Sequence, residues 1–310
     1  MRKAFIRTLV EIARRDPRLV LLTGDLGFTV IEPFASEFPD RFLNAGVAEQ
    51  NMVALATGMA ESGFVPFVYS IATFATSRPY EFIRNGPAAQ RLPVRIVGVG
   101  GGFDYGPAGY THFALEDLAL MRIQPGMTVI APADHEQASS ALNATWDLPG
   151  PIYFRIGKDD SEIVPGLGGR FRLGHPEEVR QGSDLLILAT GSHALHAVHA
   201  ADELADDGVE STVLIVSTLR PANTEELSSA LSEYRVALSV EGHYVDGALG
   251  SLVAELIAEC GLDCRLVRCG VTTAVDGVTG SSEYMAALHG LSPGEIAAAG
   301  HRALKEAAHP

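Results

Sequence analysis

Short aliphatic and β-branched runs recur along this chain, each separated from the next by enough residues for a helix. LVLLT (19–23), FVPFVY (64–69), VRIVGV (94–99), MTVIA (127–131) and PIYFRI (151–156) have the length and composition of buried strands. The last four each follow a helix-like segment, and that alternation predicts parallel strands joined by crossover helices. Gly, Pro and charge interrupt the rhythm at 159–178 and read as a linker. A second series follows in DLLILAT (184–190), ESTVLIV (210–216), YRVALSVE (234–241) and CRLVRCG (264–270), with helices near 193–207, 248–260 and 293–308. The predicted organisation is two α/β domains, 1–160 and 181–310, joined by a linker at 161–180, with no internal repeat.

Composition narrows the partners. The chain has 310 residues, 47% of them hydrophobic, which suits two ordered cores rather than disorder. Its net charge of −15 and the lack of a long Lys/Arg cluster argue against nucleic acid and anionic membrane surfaces. Cys260, Cys264 and Cys269 miss the paired spacing of zinc sites and read as buried or half-buried thiols in a reducing compartment. Phe5, Ile6, Leu9, Val10 and Ile12 fall at helical spacing among Arg7, Glu11, Arg14 and Arg15, so the N-terminus reads as an amphipathic helix rather than a signal peptide. No apolar stretch is long enough to span a bilayer, and the expectation is a cytoplasmic protein.

Ligands of open parallel sheets bind beyond the carboxyl ends of the strands. Four residues in such loops carry chemistry: Asp25 in LLTGDLG, Glu49 in NAGVAEQ, Phe74 in SIATFATSRPY and His112 at the end of GVGGGFDYGPAGYTH. Each also has a plain structural reading. Asp25 suits a turn, Glu49 suits the first turn of a helix through the helix dipole, Phe74 suits a core, and a single His is often structural. The GVGGG run lacks the spacing of a dinucleotide or phosphate loop.

GVAEQNMVALATGMA, PFVYSIATF, THFALEDLALMR and VEGHYVDGALG occur in this order, and together the chain resembles the carboxyl-terminal half of a transketolase over nearly its whole length. The resemblance implies a parallel-sheet pyrimidine-binding domain followed by a smaller, mostly parallel α/β transketolase C-terminal domain. It implies thiamine diphosphate as cofactor and transfer of a two-carbon ketol from a ketose to an aldehyde. Glu49 then corresponds to the glutamate that hydrogen-bonds N1′ of the aminopyrimidine and favours its imino tautomer. Phe74 corresponds to the ring stacked on that pyrimidine, and Ile71 to a neighbouring wall of the pocket. Asp25 corresponds to an aspartate near the cationic thiazolium, His112 to a histidine facing the donor ketone, and Arg155 to an arginine holding the sugar phosphate.

Departures from the family pattern are informative. Gly100 stands where a phosphate-contacting histidine is expected, and Ala108 where an aspartate reads a substrate hydroxyl, with Asp104 close enough to substitute. The GDG and NN segments that hold magnesium and the cofactor diphosphate have no counterpart in the sequence. A second, N-terminal-type chain with GDG and NN is therefore expected to supply Mg2+ and the diphosphate site in an α2β2 enzyme. AEQ also resembles 1-deoxyxylulose-5-phosphate synthase. That carboligase and the beta subunit of an enzyme decarboxylating 2-oxoacids are the alternative activities, and a non-catalytic assembly protein is the alternative of another class.

Overall fold

A computed structural model describes residues 1–273 and 277–308. The first half supplies six strands of a seven-stranded sheet. Its strands are β1 (Leu19–Thr23), β2 (Phe42–Asn44), β3 (Val65–Ile71), β4 (Arg95–Val99), β5 (Thr128–Ile130) and β6 (Ile152–Ile156). The second half contributes β7 (Glu177–Arg180), β8 (Leu185–Ala189), β9 (Ser211–Ile215), β10 (Thr218–Arg220), β11 (Val236–Tyr244) and β12 (Arg265–Val271). The first sheet runs β10-β5-β6-β4-β3-β1-β2 and the second, smaller sheet runs β12-β11-β8-β9-β7. Every neighbouring pair is parallel except β10 with β5 and β7 with β9.

The strands expected from β-branched runs are present, and all five positions of β1, β4, β6, β8 and β9 are buried. Full burial is what helices on both faces of a parallel sheet produce. The short strands β2, β7 and β10 lie at sheet edges, where burial on one side alone leaves little hydrophobic pattern to read. β7 occupies the end of the segment read as linker, and β10 crosses back from the second half to complete the first sheet.

The N-terminal helix Arg2–Arg15 buries Phe5, Ile6, Leu9 and Ile12, and Phe5 meets Phe154 of β6 edge-on at 5.4 Å. Its last turn carries Arg14 and Arg15, which suits the negative end of the helix dipole. A single apolar cluster runs from Met52 and Val68 of the first half to Leu188 of the second sheet and Leu249 of the helix packed on it, so the two halves share buried packing. No helix among the described residues is long and apolar enough to cross a membrane. Cys264 and Cys269 are buried free thiols; Cys260, expected to be at least half-buried, is exposed.

The order of the first sheet positions the site. The chain passes from β1 to β2 on one side, then crosses to β3 on the other side of β1. That reversal opens a crevice at the carboxyl ends of β1 and β3. The helix that makes the crossover is Glu49–Glu61, and its first residue lies beside the crevice.

Candidate functional site

Glu49 opens the crossover helix, yet its carboxylate makes no capping bond to that helix. It is a first-turn acid, as the plain reading has it, but its hydrogen bonds go elsewhere. Its side chain is 2% exposed and turned onto two donors, one at the end of β3 and one in the segment after it. The Ser70 hydroxyl donates to Oε1 at 3.1 Å, and Arg78 Nη1 donates to Oε2 at 2.8 Å. Gly24, at the end of β1, leaves room on the remaining side: a Cβ there would lie 3.4 Å from Glu49 Oε1. Small neighbours and one buried anion make a dry cradle for a cationic, flat group.

An aromatic wall adjoins the carboxylate. Phe74 sits in the short helix Ala72–Thr76 that follows β3, with Ile71 half-buried at the helix start. The Arg78 guanidinium lies over the Phe74 ring, Cζ 3.8 Å from its centroid. His112 meets the same ring edge-on at 5.0 Å, and its Nδ1 is 3.0 Å from the Thr111 hydroxyl. Glu49, Phe74 and His112, distant in sequence, are thus linked into one cluster through Arg78. Asp25 follows Gly24 in a left-handed conformation, φ +58°, braced by Asn44. The Asn44 amide donates to Asp25 Oδ1 at 2.9 Å and its carbonyl accepts from the Asp25 and Gly46 N–H groups. Asp25 is exposed at the rim of the same crevice.

Two expected substrate residues lie elsewhere. Arg155 was expected to hold a sugar phosphate, and the structure instead encloses it at the junction of the two sheets. Its Nη2 donates to the carbonyls of Ala114 and Gly242 at 2.7 and 2.8 Å, and its Nε is 3.0 Å from Asp117 Oδ2. Tyr153 donates to the same Asp117 oxygen at 2.6 Å, and Asp117 is itself buried. Gly101 passes so close that a Cβ there would lie 2.1 Å from Arg155 Nε. Nη2 and Nε are thus turned to fold partners, which gives Arg155 a junction role, while its Nη1 donates to no protein group among the described residues. Asp104 faces a different cavity of about 440 Å3, lined by Met1, Arg2, Lys158, Glu162 and His193 among others. It accepts the Lys158 N–H at 2.8 Å, and burial pushes its carboxyl above the usual range.

The departure at Gly100 has a steric reason. Its φ is +76°, and a Cβ would fall 2.3 Å from the Tyr105 ring, so no imidazole fits there without rebuilding the loop. Sequence reading missed Ser70 and Arg78. The available signal for Arg78 was a lone cation four residues after Phe74 in an otherwise uncharged stretch, the spacing at which helical neighbours meet.

Comparisons with known proteins identify the family. The transketolase pyrimidine-binding domain family matches residues 1–162, and the transketolase C-terminal domain family matches residues 174–296. The chain is 34% identical to one of the subunits of the apulose-4-phosphate transketolase of Phocaeicola vulgatus, over 86% of each chain. It is also 34% identical to a 6-deoxy-6-sulfo-D-fructose transketolase subunit of Clostridium sp. strain MSTE9, over 97% of this chain and 93% of that one. A solved structure described as a split gene transketolase, inactive beta4 tetramer, superposes with a TM-score of 0.88 at 33% identity, covering 98% of both chains. The chain belongs to the transketolase family, spanning its pyrimidine-binding and C-terminal domains.

Proposed function

We propose that this chain is the pyrimidine-binding subunit of a two-chain, thiamine-diphosphate-dependent transketolase that moves a two-carbon ketol from a ketose to an aldehyde acceptor. The observation that carries the reading is the buried Glu49 carboxylate, bonded by exchangeable side-chain donors beside the Phe74 ring. That arrangement fits an aminopyrimidine: an anion for a ring N–H, a flat apolar face, and no side chain at Gly24 to crowd the approach. When bound, the group would supply a nucleophilic carbon for ketol transfer.

The residues divide the remaining work. Glu49 accepts the N1′ hydrogen bond and holds the proton there, in a pocket where low water content strengthens the charge interaction. Phe74 and Ile71 orient the ring by stacking and by walling its edge. His112, half-buried beside Phe74, donates to the oxygen of the donor ketone as charge develops on it. Asp25 would place negative charge at the rim of the crevice, suited to the cationic part of the cofactor. The diphosphate and Mg2+ are held by a second, N-terminal-type chain carrying GDG and NN, in a cytoplasmic α2β2 assembly; relatives named as transketolase subunits and as a split gene transketolase support that division. Two relatives of equal identity are named for a phosphorylated and a sulfonated sugar, which supports an anionic ketose without choosing between them. With Nη2 and Nε of Arg155 turned to the fold, the anionic end is read chiefly by the Gly100–His112 loop and the partner chain.

The test is copurification with the neighbouring N-terminal-type chain and assay with thiamine diphosphate and Mg2+. Xylulose 5-phosphate, its dephosphorylated analogue and a sulfonated ketose serve as donors. Release of a shortened aldose from a charged donor supports the reading, and release of carbon dioxide from a 2-oxoacid instead would overturn it. The isolated chain should show no turnover.

A further inference from the structure

Arg78 makes two contacts that chemistry also suits to another occupant. Its Nη1 donates to Glu49 Oε2 at 2.8 Å, and its guanidinium carbon lies 3.8 Å over the Phe74 centroid. A guanidinium is a planar cation with its N–H donors in the plane. An aminopyrimidine protonated at N1′ has the same description: a flat cationic ring, one in-plane N–H for a carboxylate, and a face for an aromatic wall. One carboxylate oxygen and one ring face cannot serve both planes at once.

Resting on the reading of Glu49 and Phe74 above, we propose that Arg78 is a placeholder. It fills the position of the aminopyrimidine in the cofactor-free chain and swings out when the ring enters. Three features of the pocket fit that role. Removing a cation from a buried carboxylate is unfavourable, and Arg78 keeps Glu49 from being left unpaired while the pocket waits. The Arg78 side chain is 39% exposed against 2% for Glu49, so the arginine has a route to solvent and the glutamate does not. Ser70, buried behind the carboxylate, holds Oε1 independently of Arg78 and preserves the orientation of Glu49 after the exchange. Among the described residues, the guanidinium hydrogen-bonds no side chain other than Glu49.

A placeholder lowers apparent affinity by the fraction of chains in which it has not yet withdrawn. A half-exposed ion pair with a cation–π contact sets that factor at roughly tenfold. The role also explains why a carboxylate needed only with the cofactor can stay buried without it.

The probe is the free aminopyrimidine alcohol, the ring of the cofactor without thiazolium or diphosphate. It is titrated into the isolated full-length chain and followed by ligand-observed NMR, with thermal unfolding of each variant alongside. Arg78→Met should bind the probe roughly tenfold more tightly than the native chain and unfold at a lower temperature in its absence, because Glu49 loses its partner. Arg78→Lys, which keeps the charge without the flat face, should fall between them. Adding Arg78→Met to Glu49→Gln should leave Tm where Glu49→Gln alone puts it. Unchanged or weaker probe binding by Arg78→Met, or no binding to either chain, overturns the placeholder. The underlying reading fails differently: if Glu49→Gln binds the probe as tightly as the native chain, Glu49 is not the pyrimidine partner, whatever Arg78 does.

Discussion

Glu49 and Glu241 are both buried glutamates beside the N-terminus of a helix, one in each half of the chain, and they are satisfied in opposite ways. Glu241, on β11, accepts the backbone N–H groups of Leu249 and Gly250 at 2.9 and 2.8 Å, the first two residues of helix Leu249–Cys260. Those donors are fixed to the chain and have no other acceptor of this kind to turn to. Glu49 ignores its own helix and takes a hydroxyl and a guanidinium, both of which move by side-chain rotation. A carboxylate that must exchange partners needs movable donors, and one that holds a helix in place needs backbone. Burial alone would have marked the two as equals; the identity of their donors separates site from scaffold.

The largest effect that tests this contrast is on turnover. In the enzyme reconstituted with its partner chain, Glu49→Gln should lower the rate by roughly 10²–10⁴-fold, the scale of one lost proton-holding group, with the fold retained. Glu241→Gln, assayed on folded enzyme, should stay near the native rate. Equal losses in steady-state assays would dissolve the distinction.

Arg155 extends the comparison to a buried charge with committed partners. Arg155→Ala leaves Asp117 buried without its cation and should lose about 3–5 kcal/mol of stability in urea unfolding. Unchanged stability with a raised KM would return Arg155 to the substrate side. Next in size is a pH effect. Burial lifts Glu241 from the ordinary 4.5 to about 7 despite its two backbone donors. The folded chain then binds that proton more tightly than the unfolded chain does. Its contribution to stability is full below pH 4.5 and is lost as pH rises to about 7. Unfolding free energy should fall by roughly 3 kcal/mol across that window from this group, and Glu241→Gln should flatten the slope. A slope unaltered by the substitution would assign it to other groups. The smallest effect belongs to Asn44, which braces the Asp25 turn with its side chain. Asn44→Ala should cost about 1 kcal/mol, read as a shift in the urea midpoint at unchanged m-value. No shift would mean that the backbone holds the turn unaided.

What the sequence determined by itself was local. Strand runs such as LVLLT and LLILA carry their burial in composition, since a strand covered on both faces is apolar throughout. Glu49, Phe74 and His112 were legible as candidates because charge or aromaticity at a strand-to-helix loop is visible in one dimension. The segments around them also carried the transketolase likeness. Tertiary structure decided the rest. β10 has three residues and an antiparallel partner from the other half of the chain, so nothing near it in sequence signals its place. Arg155 reads the same in sequence whether it faces a phosphate or the Ala114 and Gly242 carbonyls, and packing of the second sheet against the first chose the carbonyls. Arg78 gained its role from the crossover that sets Glu49 against the segment after β3. Periodicity encodes which face of an element is buried, and only the fold specifies which partner buries it.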